Sequence, residues 1–161
     1  MTTGKEQLMK EARRAVVQGW AAKWPLMVVK AMVDEFGDAA WEVLKRMAEE
    51  FGRQRAPILK EALEIDVNDA RSLGQIFDFE DSMNGIFGEW IESSPQRAVK
   101  REYKCVPARM YMDFPDYCAK LMTWVADATV RAMNPNAEVK PFEKLIPRGD
   151  DCCLVAVEVH T

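Results

Sequence analysis

Around Met83-Asn84-Gly85 the hydrophobic period of the chain changes from helical to alternating, and this change limits the available folds more than any other feature of the sequence. Before it, apolar residues recur three and four apart. A first helix is expected from Gly4, with Thr3-Gly4-Lys5-Glu6 as its capping box and Leu8, Ala12 and Val16 on one face, stopping before Trp24-Pro25. A second opens at Pro25 and closes at Gly37, a third runs from Asp38 to Gly52, and a fourth opens at Pro57. Asp66 to Asp69 then forms a loop and cap for a helix carrying Ala70, Leu73, Ile76 and Phe77. Met9, Met27, Met32 and Met47 are expected to fill gaps between these helices, because the thioether side chain adapts to irregular space.

After Gly85 the pattern is that of strands. Ile86 to Ser93 and Arg97 to Cys105 read as a hairpin around Ser94-Pro95-Gln96, with Val99, Arg101, Tyr103 and Cys105 on one face of the second strand. Pro115 to Met133 is a helix, and a second hairpin joins Val139–Ile146 to Cys152–His160 around the turn Arg148–Asp151. Pro141 cannot donate to a ladder, so the incoming strand is expected to lie at an edge or to carry a bulge there. The fold class is α+β: N-terminal helices over residues 1–84, packed with a β-β-α-β-β unit over residues 85–161 that forms an antiparallel four-stranded sheet. No Gly/Ser-rich linker marks the change of period, so the two halves are expected to share one core.

The net charge of −4, with signs interspersed, argues against nucleic acid or an anionic membrane as a partner, since both require a basic stripe. No apolar run approaches the ~18 residues of a membrane-spanning helix. Thr2 to Gln18 is too charged to be the apolar core of a signal peptide, so a cytoplasmic protein is expected. In such a compartment the four cysteines are thiols rather than disulfides. A small-molecule partner is expected, and a homo-oligomer stays open.

The block Arg148-Gly149-Asp150-Asp151-Cys152-Cys153 is where a turn, two carboxylates and two thiols converge. Gly149 supplies positive φ, and the Asp side chains bond the backbone of the turn. Along the strand that follows, Cys153, Val155, Val157 and Val159 share an inward face and Cys152, Leu154 and Ala156 the other. Cys118 lies near a helix start, where the dipole and free amides favour a thiolate. The candidate catalytic residues are therefore Cys153 and Cys118 as thiols, with Asp150 or Asp151 as an acid–base group whose carboxyl is raised by burial or by its neighbour's charge. Arg148 and Arg109 are candidate anchors for a substrate carboxylate, with Gly149 and Cys105 beside them. His160 stands roughly 25 Å along an extended strand from Cys152 and cannot serve as its base. No cofactor is required. In the rival reading, a binding or sensor domain, three thiolates and a carboxylate would suit Zn²⁺.

Cys105-Val-Pro107 after a strand, Tyr117-Cys118 at a helix start, Met133-Asn134-Pro135 at its end and the Gly-Asp-Asp-Cys-Cys153 block together resemble the L-2-amino-thiazoline-4-carboxylic acid hydrolase family over about Arg97 to Val159. The resemblance implies hydrolysis of a cyclic amidine in a five-membered sulfur ring to an N-carbamoyl cysteine. The layout also looks like the small-molecule-binding domain of 4-vinyl-reductase-like proteins, in architecture only.

Overall fold

The structure is a computed structural model and describes residues 4–160. The alternating stretches form a sheet. β1 (Ile86–Ser93) and β2 (Arg97–Cys105) pair antiparallel, and the turn between them is held by the Ser94 N–H donating to the Arg97 carbonyl at 2.9 Å. The Ser94 hydroxyl accepts in return from the Arg97 N–H at 3.0 Å. β3 (Ala137–Val139) and β4 (Cys153–Val159) complete a four-stranded sheet of order β1-β2-β4-β3, antiparallel throughout. β3 is much shorter than the strand expected over Val139–Ile146. Lys140 still donates to the Ala156 carbonyl at 2.9 Å, but Pro141 brings no N–H, and the chain then leaves the ladder for a single 3₁₀ turn, Ile146–Arg148.

Chain contacts divide the molecule into two compact units, residues 1–40 and 41–161. In the first, α1 (Gly4–Gln18) is followed by a π-helical turn, Gly19–Lys23, and by α2 (Trp24–Phe36). The stop expected before Trp24-Pro25 does not occur, since Lys23 itself is helical at φ −68° and ψ −43°. A π turn shifts the carbonyl register by one residue and lets the chain pass a proline that lacks its N–H. The cap expected at Thr3 lies outside the described residues. Met9 and Met27, expected between helices, are exposed.

α3 (Asp38–Ala62) lies almost wholly in the second unit and runs unbroken through Gly52 and Pro57, where two helices were expected. The reason is a close contact with α7 (Thr123–Met133): a Cβ on residue 52 would stand 2.7 Å from the Ala128 Cβ and 2.8 Å from the Val125 carbonyl oxygen. Gly52 is there to let two helix backbones approach, not to end a helix. α4 (Ala70–Leu73) is capped by the Asp69 carboxylate, which accepts from the Arg71 N–H at 2.8 Å, and α5 (Gln75–Asn84) ends at Gly85. α6 (Ala108–Tyr111) follows β2, and a π-helical turn over Tyr117–Met122 leads into α7.

The core joins Leu73, Ile76 and Phe77 of α4 and α5 to Ala126 and Val130 of α7 and to Ala98, Val155 and Val157 of the sheet. β2 therefore turns Ala98, Lys100 and Glu102 inward and leaves Arg101 and Tyr103 exposed. Lining up with Val155 and Val157 across the ladder decides this, and it brings two charged residues into the core face.

Because overpacking a close helix contact costs about 1–3 kcal/mol, Gly52→Val should lower the urea midpoint of the whole chain by a corresponding amount. An unchanged midpoint would show that α3 and α7 have room to part.

Candidate functional site

The inward face of β2 sets the electrostatics of the unit. Lys100 is 3% exposed, and its ammonium donates to Asp81 at 2.5 Å and to Asp78 at 2.6 Å, both on α5. Burial opposes its charge, but the two carboxylates win and hold its pKa above the ordinary lysine value. The ammonium also lies 5.6 Å from the centre of the Trp90 ring, whose indole N–H donates to Asp78 at 3.0 Å. The Asp81 carboxyl is pushed up by burial, against the pull of Lys100.

Glu102 stands two residues further along the same face, opposite Cys153 in the ladder, and is 6% exposed. No hydrogen bond holds its carboxyl among the described residues. Burial first, and then the charge of Asp81, push its pKa up to about 8. Lys100 pulls the other way but is already committed to two carboxylates.

The thiols gather around this carboxyl. Cys105, Cys118 and Cys153 are each influenced by the charge of Glu102, and Cys118 by the other two. Cys105 reaches the inner side because the register shift between Phe87 and Gly88 takes up an extra residue of β2 at Tyr103. Burial pushes Cys105 to about 11, and Cys118 and Cys153 to about 12. The lowered pKa expected for Cys118 is thus reversed: its segment is a π turn walled by the Tyr111 and Tyr117 rings, stacked 5.3 Å apart, and desolvation exceeds any help from the helix start. Ile146 closes over Cys153, its N–H donating to the sulfur at 3.4 Å.

The remaining expected residues sit on the outer rim. Gly149 does take positive φ, +99°, as the cap of the 3₁₀ turn. Asp150 is exposed and accepts from the Leu145 N–H at 2.7 Å. Asp151 is exposed and ion-paired with Lys144 at 2.9 Å, which lowers its carboxyl instead of raising it. Arg148 is ion-paired with Asp116 at 3.2 Å, so it fastens the turn to the start of the Tyr117–Met122 segment. Arg109 is exposed on α6. Cys152 and Cys153 are both buried, although they leave the strand mouth on opposite faces. The structure therefore brings Cys105, Cys118 and Cys153 together and leaves the two aspartates and two arginines outside.

Glu102 and Lys100 were missed. Their signal was available: once Cys153 and Val155 face inward, their antiparallel partners Glu102 and Lys100 do too.

A tetrahedral metal would need its ligand atoms nearly in contact. Among the described residues, the set of three that draws its ligand atoms within 4.8 Å of one another is Glu138, Glu158 and His160, not the thiols. That set is part of a surface ion-pair network with Arg97, Arg131 and Lys140. Lys140 and His160 lower the Glu138 carboxyl to about 2.

The molecule is thus an α+β domain with a four-stranded antiparallel sheet, and against one face of it lies a cluster of buried and half-buried thiols and carboxylates. No protein-family model matches the chain, and no curated protein matches it in sequence. Its fold is similar to that of a trafficking protein particle complex subunit 3 from Naegleria fowleri, crystallised covalently bound to palmitic acid; identity is 14%, over 91% of this chain and 96% of that one, with a TM-score of 0.65. It is also similar to the phenol-responsive sensory domain of the transcription activator PoxR, crystallised with phenol, at 12% identity over 83% of this chain and 71% of that one, with a TM-score of 0.53. At these identities the likeness concerns the fold alone. No described helix is long and apolar enough to cross a membrane.

A carboxyl that is raised in the folded state stabilises it fully below the unfolded pKa and loses that contribution as pH rises through the folded value. For Glu102 the window runs from the ordinary 4.5 to about 8. Glu102→Gln should therefore remove part of the fall in stability between these limits, a difference on the order of a few kcal/mol at the alkaline end. Urea titrations of parent and variant at pH 5 and pH 8.5 check it; parallel pH profiles would mean that Glu102 keeps an ordinary pKa.

Proposed function

We propose that this chain is a small-molecule-binding domain of the sensor type, in which a small uncharged ligand is held at Glu102, Cys105, Cys118 and Cys153. The single observation that carries the reading is the Glu102 carboxyl: on a residue only 6% exposed, on the core face beside the thiols, and raised to about 8 by burial. At neutral pH such a group is mostly protonated and donates a hydrogen bond to a neutral acceptor. The thiols around it, at about 11 and 12, are un-ionised and serve as polarizable apolar lining. Both fold relatives were crystallised with a small molecule, palmitic acid in one and phenol in the other, which supports the reading without naming the ligand. The segment after β3, fastened by Arg148 to Asp116 and by Lys144 to Asp151, covers Cys153 and would open for entry.

The second reading is hydrolysis of a thiazoline carboxylate, supported by the sequence resemblance between Arg97 and Val159. In that case Glu102, not Asp150 or Asp151, is the group whose pKa suits proton transfer near neutrality. A ring carboxylate would need a cation, and Arg148 would have to leave Asp116 to supply it.

Calorimetric titration of the whole chain with phenol, palmitate and 2-amino-thiazoline-4-carboxylate separates the two. Saturable binding of an uncharged probe at pH 6.5, weakened above pH 8 in the parent but not in Glu102→Gln, whose amide keeps a donor and does not ionise, and lost in Glu102→Leu, is the expected result. Release of an N-carbamoyl cysteine from the thiazoline, seen by mass spectrometry and lost in Glu102→Gln, would replace the sensor reading by the enzymatic one.

A further inference from the structure

Met47 was expected inside and is 61% exposed, and it is not alone: Val43 and Phe51 on the same face of α3 are 38% and 56% exposed. These three recur every four residues. The buried side of the helix is a different one, with Ala48, Gly52 and Ala56 inward and Gly52 against α7. α3 thus has its own core contact and, beside it, an apolar groove lined by Val43, Arg46, Met47, Glu50, Phe51 and Gln54.

The charges of this groove say what fits it. At about 100° per residue, Arg46 and Glu50 fall on the same flank of the stripe, roughly 100° and 60° from Met47. When two copies of a helix pack antiparallel about a two-fold axis, each flank meets itself; packed parallel, it meets the other flank. A flank bearing one cation and one anion is therefore self-complementary only in the antiparallel arrangement. With the axis at the height of residue 48, Arg46 stands level with Glu50 of the second copy, and the pair forms twice. In that register Val43 lies between the heights of Phe51 and Gln54 of the second copy, so the apolar side chains interleave instead of colliding. Arg46 has no ion-pair partner among the described residues, while Glu50 is held in place by Arg53 at 2.9 Å and by Gln54 at 2.8 Å, which lower its carboxyl.

We propose that the Val43–Met47–Phe51 face of α3 is the interface of a homodimer in which two copies of α3 pack antiparallel, with Arg46 of each copy on Glu50 of the other. The arrangement is independent of what the thiol cluster binds.

Sedimentation equilibrium on the full chain at low salt tests it. The parent should be a dimer. Arg46→Glu and Glu50→Arg should each raise the dimer dissociation constant about tenfold, since two attractive pairs become two repulsive ones, and combining them should return it close to the parent value. Met47→Glu should give a monomer with unchanged circular dichroism. A parent that stays monomeric overturns the proposal. So does a dimer that the single charge changes leave intact, because its interface would lie elsewhere, or a double variant that fails to recover. Rescue in the double variant is the outcome that an apolar ligand or an unrelated partner seated on this face could not produce.

Discussion

A lysine ammonium buried in the core face of a sheet must be neutralised where it stands, and the second unit is arranged around meeting that need for Lys100. Asp78 and Asp81 lie three residues apart on α5, on the side that faces β2, and both accept from it. Their pairing fixes the rotation of α5 over the sheet and places Ile76 and Phe77 in the core beside Val155 and Val157. It also decides the fate of Glu102. One cation between two carboxylates has little left for a third, so Glu102, the next residue on the same face of the strand, is better off protonated.

The helices are tied to one another by similar means. Arg55 on α3 donates to the Thr129 hydroxyl of α7 at 2.7 Å and pairs with Glu80 of α5. The Thr129 hydroxyl donates in turn to the Val125 carbonyl at 2.7 Å. Gly52 lets α3 and α7 come close enough for this chain of contacts to close. Asp127 of α7 then accepts from the Val139 N–H at 2.9 Å, which pins the short edge strand β3 to the helix. Buried polar groups of this kind cost little when every partner is present and a great deal when one is removed.

This setting explains why thiols that look activated in the sequence are held un-ionised in the fold. Thiols become nucleophiles when ionised, and ionisation is favoured by cations, open amides or solvent. Cys105, Cys118 and Cys153 have instead a carboxyl and two tyrosine rings nearby and little water, so their protons stay on. The same surroundings suit a neutral ligand. The aspartates that looked like acid–base groups are spent on the turn, one accepting from the Leu145 amide and the other holding Lys144.

Much of this was legible in the chain itself. The bounds of β1 and β2, the Ser94–Gln96 turn, the Asp69 cap, the positive φ of Gly149 and the inward face of β4 all follow from alternation and from turn and cap chemistry. These are properties of a few adjacent residues, and a short window of sequence contains all that determines them. What the window could not contain is what stands across space. Gly52 reads as a stop until Ala128 is seen against it, β2 shows no inward face until β4 chooses one, and Cys118 reads as a thiolate until burial is counted. In each case the local preference is worth about a kilocalorie per mole or less, and a packing contact or the desolvation of a charge is worth several. Local propensity therefore settled the elements, and the tertiary structure settled their faces, their continuity and the charge state of the site.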